Sequence, residues 1–236
     1  MPFPDEYESG PVAVLDYQPR WAVDFESLAR TPHGALGDQA RAIDHVGSTA
    51  VPGLAAKDCV DIQVLVDDVD EDRQVVLMAA IGFRCRPEPW NHAEISCGQE
   101  CRKLVFAPPI GARRCNVHLR QVDGPDARFA LLFRDYLRAE ETARQGWGAF
   151  KKRLALSVPG LLDCGQIKAP ATTFLMTAAE RWATETGRHP TPSHTARSRV
   201  TQRDTDHLLP TASLPPGLRR IPPDGRPGGA LPDQRP

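Results

Sequence analysis

The sequence predicts an α+β domain, in which helices flank a mixed β-sheet and a disordered tail follows. Strand-like segments, including a candidate hairpin, dominate the first half, and helical periodicity dominates from Pro125 onwards. The 236 residues carry a formal net charge of −1 without a basic stripe, so nucleic acid is not an expected partner. No apolar run reaches the ~18 residues that span a bilayer, and the N-terminus lacks a signal peptide, so we expect a cytoplasmic protein.

The first predicted elements are two strands separated by a helix. The segment "VAVLDY" indicates an apolar strand that ends before Pro19. Trp21, Phe25 and Leu28 then recur at helical spacing. The segment "ARAIDHVG" predicts a second, short strand that runs into a Gly-Ser-Thr turn.

The third predicted strand, "CVDIQVLV", has two different faces. Alternate residues of a strand point to opposite sides. One side carries Val60, Ile62, Val64 and Val66, and the other carries Cys59, Asp61, Gln63 and Leu65. We expect the branched side to lie in the core, which leaves Asp61 and Gln63 on the opposite side.

A helix and a hairpin are predicted next. "VDEDRQVVLMAAIGF" has acidic residues in its first turn and Gly82 just after its apolar stripe, which is typical of a helix. "RKLVFA" and "RCNVHLRQV" flank a Pro-Pro-Ile-Gly turn and therefore predict an antiparallel hairpin. On its second strand, Asn116, His118 and Arg120 share a polar face.

Two helices are predicted after the hairpin. "DARFALLFRDYLRAEETARQGWGAFKKRLAL" has the period of one long helix, weakened in its middle by Gly146 and Gly148. "PATTFLMTAAERWATETG" predicts a second helix, with Pro170 in its first turn and Gly187 as its stop.

The composition changes sharply after this last helix. Residues 188–236 contain ten of the 23 prolines and almost no aromatic residues, so they bury too little surface to offset their ordering entropy. We therefore predict a folded domain over residues 1–187 and a disordered Pro/Arg-rich tail over residues 188–236.

The turn in "HVGSTAVPGLAAK" has the chemistry of a phosphate site. Gly47 lets the backbone approach a ligand closely, and Ser48 and Thr49 bring hydroxyl groups beside exposed amides. Two carboxylates on the strand that follows would hold Mg²⁺ against the same phosphates. Here that pair is Asp61 and Gln63, so only one carboxylate is present.

These segments together resemble the GrpB family of the nucleotidyltransferase-like superfamily. "HVGSTAVPGLAAK" and "VDIQV" carry the resemblance, and "YQPRWAVDFESLA", "NVHLR", "FRDYLRAEETA" and "FKKRLA" extend it over roughly residues 12 to 183. It implies a nucleotidyltransferase-like fold with Gly47 and Ser48 at the phosphate turn. It also implies that Asp61 is the first metal carboxylate, and that Gln63 stands where a second one is expected.

An amide in place of a carboxylate weakens the expected magnesium site. The oxygen of Gln63 brings no negative charge, so it should hold Mg²⁺ less tightly and suit a two-metal mechanism poorly. The sequence therefore predicts that Gln63→Asp strengthens Mg²⁺-dependent nucleotide binding.

Other polar residues leave two interpretations open. Lys57 is either a phosphate contact or a solvated turn residue, and His45 is either a ligand contact or a structural histidine. His118 and Arg120 are candidates for binding a base or phosphate, with His118 also suited to proton transfer. Asp58 is interpreted as a turn residue.

Three further charged residues are candidates that the sequence does not connect to the Gly-Ser turn. Arg134 and Asp135 are expected to form a structural ion pair. Glu94 is a conceivable third carboxylate, although nothing in the sequence brings it to Asp61.

Three functions follow from this reading. The first is transfer of a nucleotidyl group from a nucleoside triphosphate to an unknown acceptor, with Asp61 and His118 as catalytic candidates. The second is a non-catalytic module that binds a nucleotide or another phosphate-bearing molecule, or assists a protein partner; related domains occur fused to dephospho-coenzyme A kinases. The third is a zinc module. The irregular spacing of the six cysteines argues against it, and we expect these cysteines to be free thiols.

Overall fold

The structure is a computed structural model. It describes Phe3, residues 13–158 and residues 161–192. The chain divides into two units, residues 1–197 and residues 198–236, and only the first contains described residues. The tail predicted to be disordered lies outside the described residues apart from its first five positions. Within the described ranges, no helix combines the length and apolarity needed to cross a membrane.

Among the described residues, six strands form one mixed sheet. They are β1 (Ala42–Val46), β2 (Val60–Val66), β3 (Arg84–Cys85), β4 (Ala93–Ser96), β5 (Gln99–Ala107) and β6 (Cys115–Gln121). The order is β1-β2-β6-β5-β3, and β4 pairs with β5 beside this path. The pair β2–β6 is parallel and the other pairs are antiparallel. The parallel pair places Asp61 opposite Asn116, and Gln63 opposite His118.

In the described part of the chain, five helices flank the sheet. They are α1 (Arg20–Leu36), α2 (Glu71–Ala80), α3 (Pro125–Ala139), α4 (Glu141–Ser157) and α5 (Leu161–Thr186). Short 3₁₀ helices cover Gly37–Gln39, Ser48–Ala50 and Pro89–Asn91. Asp70 is the N-cap of α2, and its side chain accepts a hydrogen bond from the backbone N–H of Arg73.

The main core lies between the branched face of the sheet and helices α1 and α2. The four branched residues of β2 are at most 1% exposed, and they pack with Leu36, Met78 and Phe106. Full burial of each such side chain contributes about 1.5–3 kcal/mol. The predicted core face of β2 is therefore confirmed. Because burial of this face is so favourable, Asp61 and Gln63 must lie on the opposite side of the sheet.

Helices α3, α4 and α5 pack against one another beyond the polar side of β2. Leu132, Met176 and Trp182 form one apolar cluster between α3 and α5. Leu54, Leu137 and other residues form a second cluster that includes Trp147 of α4. These contacts hold α4 and α5 beside the turn that follows β1.

Most predicted elements are confirmed, including the hairpin β5–β6 and the α2 helix with Gly82 after its end. The strand predicted at "VAVLDY" is wrong, because in its described part only Leu15 pairs, through a single bridge to Ala56. Leu15 is 39% exposed, so this segment lacks the burial that would favour a longer strand.

Two helix boundaries also differ from prediction. The long helix breaks at Glu140, whose extended backbone ends α3 and begins α4, rather than at the glycines. Gly148 instead lies against Leu54 and Ala55, where a Cβ would make contact at 3.6–3.8 Å. Helix α5 begins at Leu161, so Pro170 lies inside it.

Candidate anion-binding cleft

The turn after β1 brings the backbone against the carboxylate of β2. Gly47 has φ 69° and ψ −166°, a combination that is essentially restricted to glycine. A Cβ on Gly47 would lie 2.5 Å from Oδ2 of Asp61. Glycine is therefore required twice here, for its conformation and for the close approach of Asp61.

Beside this turn lies a cleft of about 240 Å³. Its polar lining residues are Ser48, Thr49, Lys57, Asp61, Asn116, Lys151 and Lys168. Apolar groups from α4 and α5, including Leu154, complete the walls. Among the described residues that line the cleft, Asp61 is the only acidic one, so lysines exceed carboxylates by three to one.

Lys151 of α4 reaches into the cleft from the side opposite the sheet. Its Nζ donates to Oγ of Ser48 at 2.8 Å and to the carbonyl oxygen of Ala55. The side chain is buried. Burial, followed by the positive charges of Lys168 and Lys57, lowers the pKa of Lys151 to about 7, and Asp61 only partly opposes this. A buried ammonium with this pKa gains much from a nearby anion.

The other two lysines add to the positive potential. Lys57 is half-buried, and burial and the charge of Lys168 lower its pKa. Lys168 is exposed on α5 and lines the same cleft. Like charges held this close destabilise one another, and a bound anion relieves that repulsion.

Asp61 is held at the floor of the cleft by β6. Asn116 donates to its Oδ1 at 3.0 Å, and Nε2 of His118 lies 3.6 Å from the same oxygen. Burial acts to raise the pKa of Asp61, but His118 and Asn116 outweigh it and lower the pKa, so the carboxylate is ionised.

His118 is more closely tied to Asp61 than to the cleft. Burial lowers the pKa of His118 more than Asp61 raises it, which keeps the imidazole neutral near pH 7. Its Nδ1 is buried without a hydrogen-bond partner among the described residues. We expect a histidine in this position to orient Asp61.

Gln63 does not reach the cleft. It is fully buried, and its Oε1 accepts a hydrogen bond from Arg120 at 3.0 Å. Arg120 in turn lies 3.2 Å from Asp126 and 3.4 Å from Glu94. Lys103 donates to Glu94 at 2.5 Å. These five residues form a paired cluster, which we call the buried ion network.

The buried ion network engages side chains that the implied magnesium site would need as ligands. The amide oxygen of Gln63 is engaged by a guanidinium group, and Glu94 is engaged by two cations. In the described part of the chain, no group of three or more His, Cys, Asp or Glu residues is arranged to hold a metal ion. The residues present therefore do not fit a site with two carboxylate-type ligands, and Asp61 stands as a single one.

The structure thus brings together some predicted site residues and separates others. Ser48, Thr49, Lys57 and Asp61 line one cleft, beside Gly47. Gln63, His118 and Arg120, the other candidates on these two strands, do not line this cleft. They lie farther along β2 and β6, where Arg120 contacts Glu94 of β4 and Asp126 of α3.

The remaining polar candidates have structural contacts. His45 stacks on Phe25 with ring centroids 4.8 Å apart and bonds to Thr49 at 3.0 Å. Burial lowers the pKa of His45 to about 4, so it is neutral. Arg134 bonds to Asp135 at 2.7 Å, as the structural interpretation predicted.

Asp58 ties the turn to the first helix. It accepts hydrogen bonds from Nε1 of Trp21 at 2.7 Å and from Arg113 at 2.5 Å. This position therefore anchors α1 and supplies no ligand to the cleft.

Sequence reasoning missed Lys151 and Lys168. A compositional signal was present: only five of the 29 basic residues are lysines, and three of those five line the cleft. Lysine is rare in this chain, but composition alone did not reveal that three lysines converge on one cleft.

Comparison with known sequences gives one consistent family. The profile described as "GrpB protein" matches residues 11–163. A UPF0157 protein of Halalkalibacterium halodurans is 31% identical over 147 residues, which cover 61% of this chain and 69% of that protein. A dephospho-CoA kinase of Mycolicibacterium paratuberculosis is 32% identical over 203 residues, covering 76% of this chain but only 49% of the kinase.

Comparison with solved structures agrees with the sequences. The crystal structure of conserved protein GrpB from Enterococcus faecalis superposes with a TM-score of 0.61 and 26% identity, covering 72% of this chain and 99% of that one. A cytoplasmic RNA terminal U-transferase superposes with a TM-score of 0.38 and 16% identity, covering 55% and 39%. The first of these confirms the α+β fold.

Proposed function

Because this chain belongs to the GrpB family, we propose that its cleft binds the phosphate groups of a nucleotide or another phosphate-bearing small molecule. One observation carries the proposal: Lys57, Lys151 and Lys168 converge with Ser48 on a cleft that offers a single carboxylate. Lys151 is buried, and burial together with the neighbouring lysines lowers its pKa to about 7, so a bound anion would stabilise its charged form.

The donors differ in what they contribute. Lys151 is fixed by Ser48 and Ala55, so it loses little freedom when it meets a phosphate oxygen. Lys168 is exposed and adds charge at the rim. The cleft, at about 240 Å³, is smaller than the roughly 300–1,000 Å³ typical of whole-ligand pockets. It therefore suits a phosphate or diphosphate group, with the rest of the ligand outside.

Nucleotidyl transfer from a nucleoside triphosphate to an acceptor is the second candidate. It is favoured by the ionised Asp61, which shares the cleft with the phosphate donors and is oriented by His118. Mg²⁺ in such sites is usually bound by one or two carboxylates together with the phosphates of the substrate. The engagement of Gln63 by Arg120 speaks against a two-metal transferase, so binding without catalysis is the better-supported function.

The kinase relative favours a module that assists a partner. This chain corresponds to about half of a protein named dephospho-CoA kinase. A phosphate-binding module beside a kinase would act on the same chemical class of ligand, and it would not need a reaction of its own.

The proposal is tested by calorimetric titration with pyrophosphate and with ATP. Native protein should bind, and Lys151→Gln should lower the affinity about 10- to 100-fold, since a hydrogen bond to a charged group contributes about 1.5–3 kcal/mol. Lys152→Gln is the matched control, because Lys152 is exposed and pairs with Asp16 at 2.5 Å. Equal affinity in the two variants would contradict the proposal.

A parallel assay separates the two candidate functions. Native protein is incubated with a nucleoside triphosphate labelled at its α-phosphate, and released pyrophosphate and labelled acceptor are measured. Binding without release supports the non-catalytic module. Release that disappears in Asp61→Asn supports the transferase.

A further inference from the structure

We propose that the cleft selects free phosphate anions, and that divalent cations weaken their binding because the site is built to work without a metal. This inference rests on the proposed phosphate-binding function and specifies the form in which the ligand enters. It follows from three features of the polar side of β2 and β6.

The first feature is the guanidinium group beside Gln63. Nη1 of Arg120 lies 3.0 Å from Oε1 of Gln63, the oxygen that a metal ion would have to share. Arg120 is buried, so its charge is screened little by solvent. A guanidinium group therefore already engages the oxygen at the position where a second metal ligand was expected.

The second feature is the engagement of the nearby carboxylates. Glu94 pairs with Lys103 and Arg120, and Asp126 pairs with Arg120 while almost fully buried. Drawing either carboxylate towards Asp61 would leave Arg120 or Lys103 buried without its partner, which is strongly unfavourable. No second acidic ligand can be recruited from this network at acceptable cost.

The third feature is the charge of the cleft itself. A divalent cation beside Asp61 would share the cleft with Lys57, Lys151 and Lys168. Repulsion from Lys57, Lys168 and the protonated fraction of Lys151 opposes the attraction of one carboxylate. The lysines supply the positive charge that a metal ion would otherwise bring to the phosphates.

The ligand class follows from this arrangement. Uncomplexed pyrophosphate, or a nucleotide free of Mg²⁺, offers all its phosphate oxygens and its full negative charge to the lysines. In the magnesium complex, two charges are neutralised and some oxygens are occupied. The cleft should therefore prefer the uncomplexed anion.

The test is calorimetric titration of the native full-length chain with pyrophosphate, once in EDTA and once in millimolar MgCl₂. KCl is added to the EDTA sample so that ionic strength is equal, because screening alone weakens surface electrostatics. We expect binding in EDTA and several-fold weaker binding in MgCl₂. Equal or tighter binding in MgCl₂ overturns this inference and leaves the proposed function intact, whereas binding in neither sample overturns both.

A substitution gives a second, independent readout. The sequence predicts that Gln63→Asp strengthens Mg²⁺-dependent binding, but the structure predicts that the new carboxylate pairs with Arg120. We therefore expect the affinity of Gln63→Asp for pyrophosphate to show no gain from MgCl₂, with thermal unfolding confirming that the variant is folded. A several-fold gain in MgCl₂ would show that Arg120 does not exclude the metal, and would overturn the inference.

Discussion

The cleft and the buried ion network lie on the same side of the same two strands, yet they handle charge in opposite ways. In the network, Arg120 and Lys103 face Glu94 and Asp126, so two cations meet two carboxylates. In the cleft, three lysines meet Asp61 alone. Asp61 and Gln63 are only two residues apart on β2, so the proposed ligand site and the structural cluster are neighbours on one face of the strand.

This difference distinguishes a charged side chain that is neutralised within the fold from one that is available to bind a ligand. Arg120 and Lys103 are neutralised by partners that the fold provides, and their positions need no ligand. Lys151 is equally buried, but its contacts are a hydroxyl and a carbonyl, neither of which neutralises it. Burial has lowered the pKa of Lys151 to about 7, so a bound anion would restore a charge that the fold itself leaves without an acidic partner.

The largest expected effect comes from breaking the network. Arg120→Leu leaves Asp126 and Glu94 without their guanidinium partner and Gln63 without its donor. Removing one partner of a buried ion pair costs about 3–5 kcal/mol. We expect a loss of this size in the free energy of unfolding, measured by urea denaturation.

A matched control is available at the surface. Arg128 and Glu180 form a pair whose side chains are 40% and 43% exposed, and exposed pairs contribute about 0–1 kcal/mol. Arg128→Leu should therefore change stability little. If Arg120→Leu and Arg128→Leu lower the free energy of unfolding by the same amount, burial does not distinguish the network from a surface pair.

A smaller effect is expected at the phosphate turn. In Gly47→Ala, the new Cβ meets Asp61 and the backbone must hold a strained conformation, which costs about 1–3 kcal/mol. We expect lower thermal stability together with weaker pyrophosphate binding, because Asp61 and Ser48 shift. Gly146→Ala is the control of opposite sign: Gly146 lies within α4 with open space around it, so alanine should stabilise by about 0.5–1 kcal/mol. A Gly47→Ala variant as stable as native protein would refute the close approach.

The smallest expected effect is the pH dependence due to Lys151. Its folded pKa, about 7, is below its unfolded value, so above pH 7 the unfolded chain binds more protons and stability rises with pH. The penalty for the buried charge is fully present below the folded pKa. Between about pH 7 and pH 8.5, native protein without ligand should gain roughly 1–2 kcal/mol relative to Lys151→Met. Parallel pH profiles of the two proteins, measured by urea unfolding, would contradict the assignment.

The sequence predicted the sheet better than the site, for physical reasons. Alternation along β2 is local and strongly determined by burial, so the core face of Val60, Ile62, Val64 and Val66 was correctly predicted. The weak strand at "VAVLDY" and the break at Glu140 depend on tertiary contacts, and local periodicity does not report them.

The site was only partly predictable. The Gly-Ser turn and Asp61 are close in sequence, and their chemistry was readable from the motif. The contact of Lys151 with Ser48 joins residues 103 positions apart, and the bond of Arg120 to Gln63 joins residues 57 positions apart. Packing decides which side chains meet over such separations. A single sequence does not contain this information.

The distance along the chain between Ser48 and Lys151 also sets the order in which the two residues appear during synthesis. Strands β1 and β2, with the glycine turn between them, leave the ribosome before α4, so an emerging chain carries Ser48 and Asp61 long before it carries Lys151. Contacts this distant along the chain form late, because loop-closure entropy must be overcome first. A phosphate ligand held by Lys151 would therefore recognise only chains whose α4 has docked, and it would stabilise the finished fold in preference to every shorter intermediate.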